Sequence, residues 1–270
     1  MDQRPIGVFD SGLGGLTAAR ELRRLLPAED IIYFGDTGRV PYGGRGRETI
    51  ARFAGECMRF LERRGVKLIV VACGTVSSVL GESLGEGLSV PCLGVLGPTA
   101  AAAAQASENG RIGVIATAAT VNSGAYGRAI RQRRPEAQVF GQACPLFVPL
   151  VENGYTGRDN AVTRLVAEEY FRAFDGTDID TLILGCTHYP LIAPLIDDVT
   201  GGRLALIDAG RETAKAALSF MEDEDMLSRT KKIGELTCFV TDEVQGFADI
   251  GRRFLGEELP QVARVSFEEL

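Results

Sequence analysis

Lys67-Leu68-Ile69-Val70-Val71-Ala72-Cys73-Gly74-Thr75 and Thr181-Leu182-Ile183-Leu184-Gly185-Cys186-Thr187-His188 share one plan. Each is a short apolar run that ends on a cysteine with a threonine close behind. Continuous apolar, β-branched runs of this kind suit strands buried on both faces, and such strands belong to parallel sheets. Besides 67–73 and 181–186, runs of similar character lie at 6–10, 30–36, 92–96, 111–117, 138–144, 204–208, 236–241 and 262–267. Segments with a period of about 3.6 residues fall between them, among them 16–26, 48–64, 160–174 and 212–221. This alternation predicts an α/β fold of doubly wound parallel sheets with helices on both faces. The echo between the two cysteine stretches predicts two similar halves facing each other, with one thiol on each wall of a cleft. Gly97-Pro98 reads as a hinge ahead of the alanine run 100–104, itself a helix former.

A length of 270 residues suits one or two domains of about 150 residues. With 45% hydrophobic and 24% charged residues, the chain has the composition of a folded globular protein. There are 29 Lys and Arg against 36 Asp and Glu, a net charge of −7. No overall positive field exists to gather phosphate backbones, so nucleic acid is not an expected partner. The N-terminal apolar run 6–9 is too short for a signal-peptide core or a membrane span, so a cytoplasmic protein without a membrane partner is expected. Cys57, Cys73, Cys92, Cys144, Cys186 and Cys238 contain no C-x-x-C pair. That argues against a zinc site and a disulfide framework, and no metal is expected.

In open parallel sheets ligands sit beyond the carboxyl ends of the strands. Read off there are Asp10-Ser11-Gly12, Asp36-Thr37, Cys73-Gly74-Thr75, Thr117 and Cys186-Thr187-His188. A strand-end cysteine is most often a small buried hydrophobe, and Cys57, Cys92, Cys144 and Cys238 are read that way. Cys73 and Cys186 each stand just before a helix, whose N-terminus favours a thiolate and predicts a pKa below the ordinary ~8.5. His188, the single histidine, lies two residues beyond Cys186 and can exchange a proton with a thiol near neutrality. Pro190 then suits the first turn of the next helix.

The turn Asp10-Ser11-Gly12-Leu13-Gly14-Gly15 can cradle an anion on its backbone N–H groups. As a dinucleotide fingerprint it is defective, because Thr17 stands where the third glycine belongs and Asp10 would repel a pyrophosphate. An aspartate there suits a cationic amine, although Asp36 does stand where a ribose-binding acid would. The loop 36–44 is either a plain turn or, through its N–H groups and the Tyr42 hydroxyl, a carboxylate binder. Lys67, Lys215, Lys231 and Lys232 all fall away from the strand ends, so no pyridoxal Schiff base is expected. The run 222–225 reads as a solvated helix end.

The stretches DSGLGG, DTGRVPYG, ATAATVNS, CPLFVPLVENG and GCTHYP occur in the order found in glutamate racemases, and the sequence resembles that family over nearly its whole length. The resemblance implies a cofactor-independent enzyme of two α/β domains related by pseudo-twofold symmetry, supplying D-glutamate for peptidoglycan. It implies that residues 1–96 with 209–270 form the first domain and 97–208 the second, and that the chain is a homodimer. Cys73 resembles the thiol serving one face of the substrate, assisted by Asp10, and Cys186 the thiol serving the other, assisted by His188. Ser11, Tyr42, Gly43, Thr75, Thr117 and Thr187 fall on substrate-binding positions, and Glu152 lies near the second thiol.

One position departs. Where the family usually reads Ala-Cys-Asn-Thr, this chain reads Ala72-Cys73-Gly74-Thr75. An asparagine side chain that would contact the substrate is missing, an interaction worth about 1.5–3 kcal/mol. Gly74 is expected either to admit a water in place of the amide or to make room for a different amino acid. Related aspartate racemases, or a binding protein that has lost activity, are the competing readings.

Overall fold

The computed structural model describes residues 2–259 and 261–270; Met1 and Pro260, both inside the ranges expected for the first domain, lie outside the described residues. The described strands are β1 Ile6–Asp10, β2 Ile31–Gly35, β3 Leu68–Val71, β4 Cys92–Gly94, β5 Arg111–Ala116, β6 Gln138–Ala143, β7 Thr181–Leu184, β8 Ala205–Asp208, β9 Leu236–Val240 and β10 Val262–Arg264. Each lies inside one of the apolar runs read from the sequence. The helices between them are α1 Leu16–Leu25, α2 Arg47–Arg63, α3 Gly74–Leu80, α4 Leu96–Ala106, α5 Ala118–Ser123, α6 Ala125–Arg131, α7 Phe147–Glu152, α8 Ala161–Phe171, α9 Ala193–Val199, α10 Ala209–Asp223 and α11 Val244–Leu255.

The strands form two sheets, ordered β10-β9-β2-β1-β3-β4 and β6-β5-β7-β8, and every described ladder is parallel. The chain thus has two parallel-sheet α/β domains. The order β2-β1-β3-β4 recurs as β6-β5-β7-β8, so Cys73 and Cys186 follow the corresponding strands β3 and β7. In each of these units the chain order reverses beside the first strand, the kind of point where open α/β sheets bind ligands. Strands β9 and β10, from the far end of the chain, extend the first sheet beyond β2.

Strand alternation divides the core. In β3, Leu68 and Val70 face a cluster shared with α1 and α10, while Ile69 and Val71 face one shared with α2. In β7, Leu182 and Leu184 join the first of these clusters and Ile183 turns to a third with α4 and α6. One apolar cluster therefore runs through both domains. Lys67, at the N-terminal end of β3 and away from the cleft, is fully buried with its Nζ 2.6 Å from Glu29 Oε2. It also donates to the carbonyls of Asp2 and Met226 at 2.7 Å.

One expectation is corrected. Gly97 and Pro98 do not precede the helix as a loop but lie in the first turn of α4. A proline there lacks only an N–H that has no intrahelical partner in any case, and its fixed φ suits the helix. Pro190 does stand in the first turn of a short 3-10 helix, Tyr189–Ile192, and Glu222 to Asp225 are exposed at the end of α10.

Candidate active site

A cavity of about 570 Å³ lies where the carboxyl ends of the two sheets face each other. Cys73, Cys186, Asp10, His188, Ser11, Tyr42, Gly43, Gly74, Thr75, Thr117, Glu152 and Thr187 all line it. The two cysteines enter from different domains. Apolar wall is supplied by Val40, Pro41, Val148 and Pro149. No lysine or arginine is among the lining residues. Besides His188, anionic groups of a ligand would meet hydroxyls and the backbone N–H groups of the turn after β1, of loop 43–44 and of the start of α3.

Asp10 ends β1 and is 2% exposed. Its Oδ2 accepts from the Gly12 N–H at 3.0 Å, while its Oδ1 has no hydrogen-bond partner among the described residues. Burial pushes the carboxyl above its usual range, opposed by the positive field of His188 and by backbone N–H groups. Cys73 stands at the N-cap position of α3, and its thiol donates to Ser11 Oγ at 3.4 Å rather than to Asp10. Burial, and next the charge of Asp10, push the Cys73 pKa up to about 12. The expected lowering at this thiol is thus overturned. The Ser11 and Val76 contacts that favour the thiolate are smaller than the loss of water around the sulfur.

On the other wall, His188 Nδ1 lies 3.8 Å from Cys186 Sγ and 3.4 Å from Thr187 Oγ1, and its Nε2 is 2.9 Å from Glu152 Oε1. Burial alone would lower the His188 pKa. The bonds to Cys186 and Glu152 outweigh it and push the value up to about 10, so the ring is an imidazolium at neutral pH. Phe254 of α11 meets the imidazole edge to face, with centroids 5.1 Å apart. Glu152 therefore acts on the histidine, a link that a separation of 36 positions hides in the sequence. Nothing in the sequence marks Phe254, whose role arises only when the C-terminal helix returns to the first domain.

Close backbone approach shapes this wall. A Cβ at Gly14 would overlap Thr187 Oγ1 and stand 2.6 Å from His188 Nδ1, so a side chain there would displace both residues. Thr17 Oγ1 lies 2.9 Å from the Thr187 carbonyl oxygen, tying α1 to the same segment.

Loop 36–44 rests on a buried carboxylate. Asp36 is fully buried; its Oδ1 accepts from Thr241 Oγ1 at 2.9 Å, and its Oδ2 accepts from Arg39 Nε at 2.7 Å and from the Tyr42 hydroxyl. The Arg39 guanidinium stacks over Phe53, 4.2 Å from the ring centroid, and pairs with Glu56. Asp36 is thus a loop anchor and not a ribose ligand. The Tyr42 hydroxyl has spent its proton on that anchor, so the loop offers a carboxylate the N–H groups of Gly43 and Gly44 instead.

The fold and cavity define a small-molecule enzyme of the parallel α/β kind with a thiol from each domain. A family model described as Asp/Glu/Hydantoin racemase matches residues 6–217, and the chain belongs to that family. It is 45% identical to the glutamate racemase of Geobacter metallireducens, covering 99% of this chain and 98% of that one. Among solved structures it resembles glutamate racemase from Francisella tularensis in complex with D-glutamate, at 38% identity with a TM-score of 0.92 and all of both chains covered. It also resembles glutamate racemase from Thermus thermophilus in complex with β-chloro-D-alanine, at 46% identity with a TM-score of 0.90 and full coverage of both. No helix among the described residues is long and apolar enough to cross a membrane.

Proposed function

We propose that this chain interconverts L- and D-glutamate with Cys73 and Cys186 as the two proton-transfer groups. The observation that carries the reading is their placement: each follows the corresponding strand of its sheet, and both line one cavity. Racemisation takes the α-proton from one face and returns a proton to the other. One sulfur, as thiolate, forms the new S–H bond as the Cα–H bond breaks and its electron pair stays on Cα. The other, as thiol, gives its proton to the opposite face, leaving with the electron pair of its S–H bond. The sulfurs end with exchanged protonation states, and the reverse reaction restores them.

The α-proton is weakly acidic, so the carbanionic state needs donors fixed in a closed, water-poor site. The hydroxyls of Ser11 and Thr187 and the N–H groups of Gly43, Gly44 and Gly74 line the cavity for the two carboxylates, while the Thr117 hydroxyl donates to Thr120 Oγ1 and pairs with Thr75 at 3.0 Å. The Asp10 carboxyl, which lines the cavity, is the group for the ammonium. His188, charged and beside Cys186, serves that thiol as proton partner, with Glu152 holding the ring. The resemblance supports operation without cofactor, D-glutamate supply to cell-wall peptidoglycan, a cytoplasmic setting and a homodimer. Strand membership supports a division into residues 1–96 with 209–270, and 97–208.

Cys73→Ser and Cys186→Ser should each lower racemisation by about a hundredfold to ten-thousandfold with the fold retained. The measurement is loss of the α-proton NMR signal from L- and from D-glutamate in deuterated water. Undiminished exchange in either variant overturns the two-thiol reading. Exchange with aspartate but not glutamate would give the site to the shorter dicarboxylate.

A further inference from the structure

Gly74, where the chain departs from the family's usual Ala-Cys-Asn-Thr, has no room for a Cβ against the backbone of the other domain. Both Gly74 and Gly185 are buried, and a Cβ built on Gly74 would stand 2.5 Å from the Gly185 carbonyl oxygen. Non-bonded heavy atoms settle well beyond that, at about 3.5–4.0 Å between carbons, so a side chain at 74 requires backbone to move. Neither backbone yields easily. The Gly185 N–H donates to the Ile115 carbonyl at 2.8 Å, extending the β7 ladder. On the other side the Ala72 N–H donates to the Phe9 carbonyl at 2.8 Å, and Cys73 O accepts from the Ser77 N–H at 3.0 Å.

The contact joins the two domains, and each glycine is the immediate neighbour of a thiol residue: Gly74 follows Cys73 and Gly185 precedes Cys186. Two further contacts join the domains beside it. Thr75 Oγ1 and Thr117 Oγ1 are 3.0 Å apart, and Thr17 Oγ1 reaches the Thr187 carbonyl at 2.9 Å. We propose that Gly74 is a spacer residue: without a side chain it lets the backbone beside Cys73 close onto the Gly185 carbonyl beside Cys186, and so sets the separation of the two thiols across the substrate. It acts through the absence of a side chain, a positioning role separate from any contact of its backbone N–H, and the inference rests on the two-thiol reading above.

The test compares Gly74→Ala and Gly74→Asn with the wild type. Both variants should lose about tenfold to a hundredfold in kcat in both directions, the scale expected for an ångström-level misplacement of reacting groups. KM should change little, and the α-deuterium isotope effect on kcat should rise as proton transfer becomes more limiting. Wild-type kcat in either variant overturns the proposal. So does a gain in Gly74→Asn, or a loss confined to KM, since those would mark Gly74 as a missing substrate contact. If Gly74→Ala is not recovered folded, Gly74→Asn, the side chain usual in the family, decides alone. Hydrogen exchange on the ligand-free protein separates the two readings: peptides covering 74–76 and 185–188 should exchange faster in the variants whether or not glutamate is the substrate. Unchanged exchange there overturns the spacer. A wild type that leaves the α-proton of glutamate in place overturns the racemase reading and not the seam.

Discussion

Two cysteines at matching strand ends live in unlike surroundings. Cys73 lies beside the buried Asp10 with its thiol on Ser11, whereas Cys186 lies beside an imidazolium. The strand-end position of both was legible because parallel sheets place polar residues after apolar runs. The electrostatics of Cys73 were not, since desolvation and next the charge of Asp10, distant in sequence, outweigh a local helix terminus. Glu152 shows the same limit: its place in the cavity could be read from a motif, its bond to His188 could not. That bond carries a pH signature. A pKa raised from 6.5 to about 10 contributes stability that is fully present below pH 6.5 and is lost as pH rises through about 10. Glu152→Gln removes part of the raise. Its thermal midpoint should fall below that of the wild type at neutral pH, with the gap closing toward pH 10. The alkaline limb of kcat/KM, where His188 loses its proton, should move to lower pH. A limb that stays in place would show that His188 does not govern it.

The strands were readable because burial on both faces removes polar alternation and leaves uninterrupted apolar runs. Which strands lie side by side was not readable. The pairing of β9 with β2 depends on side chains some two hundred positions apart, and no local pattern encodes it. Gly97-Pro98 was misread for a related reason: the same dipeptide suits a loop or a first helical turn, and tertiary packing chooses. The element most exposed to a single change is the start of β3, where Lys67 holds Glu29 and two carbonyls with no access to water. Lys67→Ala leaves a carboxylate buried without its cation and should destabilise the protein by about 3–5 kcal/mol in urea unfolding. A loss below about 1 kcal/mol, the scale of an exposed pair, would mean that water reaches Glu29.

The cavity belongs to neither domain alone, so a ligand that fills it ties the two together. Glutamate at about a hundred times its Kd should stabilise the protein by about 2.7 kcal/mol, a rise in thermal midpoint of roughly 5–10 °C. Cys73→Ser should keep that rise while losing turnover; losing both would mean that the substitution has damaged the pocket. Chain order has a separate effect. The β5 to β8 sheet is drawn from one continuous stretch, but the first sheet is completed only by β9 and β10, beginning at Leu236 and Val262. On the ribosome, the nascent chain therefore carries β2 with an open edge through most of its synthesis, and an open edge is a template for pairing with other chains. A message that stalls after β8 would release a product with its second sheet complete and its first unfinished, a substrate for chaperones and proteases rather than a half-enzyme.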